Sequence, residues 1–77
     1  MNAKARATRS GLVKRSIAIA GHRTSVSLED AFWRRLAALA AGRERSVSAL
    51  IAEIDAQRGD ANLSSAIRVY ILETALQ

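Results

Sequence analysis

The sequence predicts a mainly α-helical protein with one short β-ribbon, in the order strand, helix, helix, helix, closed by pairing with a second copy of itself. Three observations predict it. Period-two alternation is confined to residues 14–28, three helical stripes follow it, and 49% of a 77-residue chain is apolar. So short a chain buries only roughly 60–65% of its unfolded surface. Small proteins offset this with disulfides, a metal or self-association. With no cysteine and a single histidine, His22, the first two are poorly served, and self-association remains.

Residues 1–13 are small, polar and basic without apolar periodicity, and read as a flexible basic arm; residues 14–77 form the dimerisation and binding domain. Ile17 and Ile19 flank Ala18, and Val26 and Leu28 alternate with Ser25 and Ser27, so this region is strand. Gly21 marks a bend, a bulge or a turn between two short strands, and the sequence leaves the choice open. Ser27-Leu28-Glu29-Asp30 has the form of a capping box. A first helix, about 30–41, carries Phe32, Leu36, Leu39 and Ala40 at helical spacing and stops at Gly42. The neighbouring Trp33 cannot share the face of Phe32, and is expected at a subunit interface or partly exposed. A second helix is capped by Ser46, carries Val47, Leu50, Ile51 and Ile54 as an amphipathic stripe, and ends at Gly59. A third, about 63–76, is apolar nearly all round, so more than one side needs cover. Tyr70 within it is expected in the core or an interface, its hydroxyl at the rim.

Charge is unevenly placed. Residues 1–23 hold six basic side chains and no acid, whereas residues 24–77 hold six arginines against seven acids. Such asymmetry points to a polyanionic partner. The apolar run after Arg15 is too short for a secretory signal, which needs roughly 7–15 apolar residues, and no run approaches the roughly 18 of a membrane span. A cytoplasmic protein without membrane attachment is expected.

A lone strand region leaves backbone donors and acceptors without partners, and a hairpin at Gly21 only reduces the deficit. Pairing antiparallel with the same strand of a second copy satisfies them. Val26 and Leu28 then face the helices, and Arg23, Ser25 and Ser27 face outward. That outward row suits the major groove, about 12 Å wide, which admits a two-stranded ribbon and lets arginine bond guanine and serine bond several bases. The expected dimer core is Val26, Leu28, Phe32, Leu36, Leu50, Ile51, Ile54, Ile67 and Ile71.

The segment from Arg23 to Ile54, RTSVSLEDAFWRRLAALAAGRERSVSALIAEI, resembles the ribbon-helix-helix superfamily of bacterial transcriptional regulators: an alternating strand, a leucine-striped helix, a turn, and a helix opening in Ser46-Val47-Ser48 before Leu50-Ile51. The wider stretch from Lys14 to Glu73, through KRSIAIAGHRTSVSLE and ANLSSAIRVYILE, resembles one small bacterial subfamily to which a DNA-binding role is ascribed. The resemblance implies that Arg23, Ser25 and Ser27 read bases and that Ser46 and Val47 anchor a phosphate on free backbone N–H groups. A helix N-terminus is suited to that. Arg43 and Arg45 would strengthen this clamp, with Lys14 and Arg15 as further phosphate contacts. Residues 16–20 and the third helix lie outside the minimal motif, and the base-reading side chains are shorter than in many relatives.

The expected function is sequence-specific binding of double-stranded DNA by a homodimer, able to assemble further on DNA and acting as a transcriptional repressor. The alternative is an antitoxin or interaction module whose C-terminal helix binds a partner protein. No nucleophile with its base, carboxylate pair or metal cluster is evident, so neither catalysis nor a cofactor is expected.

Overall fold

The computed structural model describes residues 11–76; most of the expected arm, residues 1–10, lies outside them. Two strands, β1 (Leu12–Ile19) and β2 (His22–Glu29), are followed by helices α1 (Asp30–Gly42), α2 (Val47–Gln57) and α3 (Leu63–Ala75). β1 begins at Leu12, inside the segment read as arm, because Val13 is needed: its carbonyl accepts the Trp33 Nε1–H at 2.8 Å.

The strands form an antiparallel hairpin in the register Leu12↔Glu29 through Ile19↔His22. Ala20 and Gly21 alone connect them, with φ of 50° and 87°. Two consecutive positive φ values define a type I′ turn, whose twist matches that of paired strands. Of the options at Gly21, the tight turn holds. Within the chain β2 is therefore not solitary, and the hairpin reduces the want of a strand partner to a single edge. One of its edges is taken by β1.

Register places Val13, Arg15, Ile17 and Ile19 with Thr24, Val26 and Leu28 on the face toward the helices. Val26 and Leu28 are fully buried there, over a core of Leu36, Leu50, Ile51 and Ile67, with Ile19, Ile54 and Ile71 nearly so. Eight of the nine residues expected in a dimer core are thus covered by their own chain, Phe32 being the exception.

The helix ends follow from their caps. Ser46 Oγ accepts the Ala49 N–H at 3.0 Å, and Asn62 Oδ1 accepts the Ser65 N–H at 3.2 Å. The capping box expected at Ser27 does not form: α1 is capped by Glu29 without a side-chain bond, and Ser27 belongs to β2. α1 continues through Gly42, and Glu44, at φ 57°, takes the left-handed position as Arg45 N–H returns to the Ala40 carbonyl at 2.9 Å. This is the Schellman closure.

The two aromatics of α1 exchange their expected places. Trp33 is 4% exposed and Phe32 only half-buried. Trp33, Leu36 and Ala40 form the buried stripe, with Phe32 and Leu39 on its shoulder. β1 decides this phase, since it supplies both the cover over the indole and the carbonyl for its N–H. The Tyr70 hydroxyl is likewise not at a rim: among the described residues it is buried without a hydrogen-bond partner.

Candidate nucleic-acid interface

The face of the hairpin turned away from the helices is built by alternation. Cross-strand neighbours share a face, so Lys14, Ser16 and Ala18 of β1 stand beside Ser27, Ser25 and Arg23 of β2. Four of these six are exposed hydroxyl or cationic residues (Lys14, Ser16, Arg23 and Ser25), Ala18 is exposed, and Ser27 is half-buried. Arg23 Nη1 donates to Ser16 Oγ at 3.2 Å, laying its guanidinium across both strands. The one acid on this face is Glu29, at its far end opposite Leu12, and Arg68 Nε holds it at 3.2 Å. Hydrogen bonding from its own backbone, then from Arg68, keeps the Glu29 carboxyl below its ordinary range. The centre of the face is left cationic and hydroxyl-bearing.

β2 supplies the three residues expected to read bases, and all three occupy this outward face. Ser27 is pinned more tightly than the other two. Its N–H donates to Ser64 Oγ at 3.2 Å and its carbonyl accepts from Arg68 Nη2 at 3.3 Å, both from α3. Sequence reading recognised β2 but did not pair Ser16 and Ala18 of β1 beside it on one face. The alternation around Ile17 and Ile19 held that signal.

The residues expected at phosphates are divided. Lys14 is exposed on the outward face; Arg15 is paired with Val26 and lies on the opposite side, its guanidinium 4.8 Å from the Trp33 ring centroid. At the start of α2 the Ser46 hydroxyl satisfies Ala49, and among the described residues the N–H groups of Val47 and Ser48 are the unpaired donors of the first turn. Arg45 runs along α2 to Glu53 at 2.5 Å, and Arg43 stacks at 5.6 Å over Tyr70. The Arg45–Glu53 pair is on the surface, where an ion pair is worth about 0–1 kcal/mol.

Among the described residues no cluster of His, Asp or Glu is placed to hold a metal ion, and no helix is long and apolar enough to cross a membrane.

A hairpin whose cationic, hydroxyl-bearing face is carried on a bundle of amphipathic helices defines a strand-presenting protein. More particularly, the ribbon-helix-helix domain matches residues 12–75, and the chain belongs to that family. Members of this family generally bind DNA as dimers. The match includes β1 and α3, both outside the minimal strand-helix-helix pattern. Neither a curated protein nor a solved structure matches the chain.

Proposed function

We propose that the chain binds double-stranded DNA sequence-specifically as a homodimer and acts as a transcriptional repressor, laying the outward face of its ribbon in the major groove. One observation carries this reading: Lys14, Ser16, Arg23, Ser25 and Ser27 converge on one face, whose single acid is neutralised by Arg68. Arginine at such a surface bonds guanine through two acceptors, and serine accepts or donates to several bases.

Strand spacing divides the labour. Neighbouring strands lie about 4.8 Å apart, so two central strands fit a groove about 12 Å wide. In a four-stranded ribbon with β2 at the centre, the outer strands stand about 14 Å apart, at the groove walls. β2 then carries the base contacts at Arg23, Ser25 and Ser27, and Lys14 on β1 meets phosphate. The α2 N-terminus, with Ser46 and Val47, supplies a second phosphate anchor, and Arg43 and Arg45 add charge beside it.

Selection from random double-stranded oligonucleotides at physiological salt tests the proposal. The expected result is an enriched, two-fold symmetric site with a guanine whose preference disappears in Arg23→Ala. No enrichment, with no retention of duplex DNA, overturns it.

A second reading is favoured by α3, on which Val69, Leu72 and Leu76 are 51%, 58% and 77% exposed. With Phe32, Arg68 and Ala75, Val69 and Leu72 border an apolar depression. As an antitoxin-like surface, this row binds a partner protein, and Leu72→Asp abolishes a stoichiometric complex while sparing DNA binding. If Leu72→Asp instead splits the purified homodimer, the row belongs to the chain's own interface.

A further inference from the structure

We infer that α3 sets the register in which a second copy adds to β2, restricting the shared edge to Arg23–Ser25; this rests on the dimeric reading above. A two-residue turn makes Ile19 and His22 a hydrogen-bonded pair. Alternation along an antiparallel ladder then turns the backbone groups of Thr24, Val26 and Leu28 toward β1, and those of Arg23, Ser25 and Ser27 toward the outer edge. The contacts of Ser27 agree with this, since both its N–H and its carbonyl meet α3 on the outer side, at Ser64 Oγ (3.2 Å) and Arg68 Nη2 (3.3 Å). Arg68 also holds Glu29, the next outward residue. α3 thus fills the far half of the edge with side chains.

Arg23 and Ser25 are exposed, and among the described residues no side chain bonds their backbone. This short edge offers donor and acceptor on both residues, and a two-fold axis makes it complementary to itself. Each possible axis has a distinct consequence. An axis at Thr24 pairs Arg23 of one copy with Ser25 of the other, uses every free group, and leaves Ser27 with α3. An axis at Ser25 sets Arg23 against Ser27, and one at Val26 sets Ser25 against Ser27; both must break the Ser64 and Arg68 bonds. An axis at Arg23 places two guanidinium groups face to face, which like charges disfavour. The geometry points to Thr24.

The sequence contains no cysteine, so single-cysteine chains report the axis directly. Across an axis at Thr24 the two Cα atoms form a non-hydrogen-bonded pair about 4.5 Å apart, within disulfide reach. Thr24→Cys, Ser25→Cys and Val26→Cys are oxidised mildly in the full chain, after circular dichroism confirms that each is folded. Thr24→Cys should cross-link at least about 10-fold faster than the others, and adding Ser64→Ala with Arg68→Ala should raise the Ser25→Cys rate relative to it. Fastest cross-linking at Ser25 or Val26, a ratio unmoved by the α3 changes, or a dimer that cross-links at none of the three overturns the inference. Light scattering of the unsubstituted chain separates the two levels: a monomer at every concentration removes the dimeric reading itself, whereas a dimer with another axis removes only the register.

Discussion

At the residue scale, side chains of similar chemistry are separated by which face of one strand they occupy. Lys14 and Arg15 are adjacent cations, yet one stands on the outward face and the other stacks on Trp33. Lys14→Ala should therefore weaken binding to all duplex sequences and lower the slope of log K against log salt by about 1, whereas Arg15→Ala should leave that slope nearly unchanged. Arg23→Ala should cost about 1–3 kcal/mol on a selected site and little on random DNA. Titration of both variants against both duplexes at several salt concentrations distinguishes them, and equal losses on both duplexes for Arg23→Ala would remove it from base reading. Trp33 was assigned the wrong side from sequence because nothing in residues 30–42 announces what lies above them. Its burial and its bond to Val13 predict that Trp33→Ala costs about 3–5 kcal/mol in a denaturant melt.

At the scale of elements, backbone geometry accounts for what the sequence concealed. The Ala20-Gly21 turn holds a non-glycine residue at φ 50°, a position that asparagine or glycine occupies with less strain. Ala20→Asn should stabilise the fold by up to about 1 kcal/mol, read as a raised denaturation midpoint with an unchanged slope. A lower midpoint would contradict the type I′ assignment. The same alanine hid the hairpin, because the usual Asn-Gly signature is missing. The junction of β2 with α1 carries the ionic link to α3. Glu29 has a lowered folded-state pKa, so the stability it contributes is complete above the ordinary glutamate value of about 4.3 and is lost as pH falls through the lowered one. Glu29→Gln should accordingly remove part of the acid-side loss of stability and leave the neutral-to-basic limb unchanged in shape. Acid melts of the two proteins that superimpose in shape would show that the Arg68 link does not matter.

At the scale of the whole molecule, single-chain cover and exposed remainder must be weighed together. Val26 at 0% exposure sits under the hairpin over the common core, so Val26→Asp should unfold the chain; a cooperative melt near that of the original protein would refute the core assignment. The apolar surface left outside is concentrated on α3, with Leu12 on β1 the other large exposed side chain. Positive charge in residues 1–23 adds a longer-range term. Removing residues 1–10 takes away Lys4, Arg6 and Arg9 and should flatten the salt dependence of DNA binding without changing the preferred site.

What the sequence determined by itself is whatever is encoded in local periodicity and end signals. Alternation around Val26 and Leu28 fixed the sidedness of β2, and with it the outward placing of Arg23, Ser25 and Ser27. Ser46 and the apolar stripes set α2 and α3 to within a residue or two, because caps and helical spacing act over a single turn. Tertiary structure decided everything that depends on contacts distant along the chain: the pairing of β1 with β2, the burial of Trp33 rather than Phe32, and the grip of Ser64 and Arg68 on Ser27 across 37 and 41 positions. Such contacts leave no periodic trace, since either partner alone is an ordinary serine, arginine or tryptophan until the fold brings the other to it.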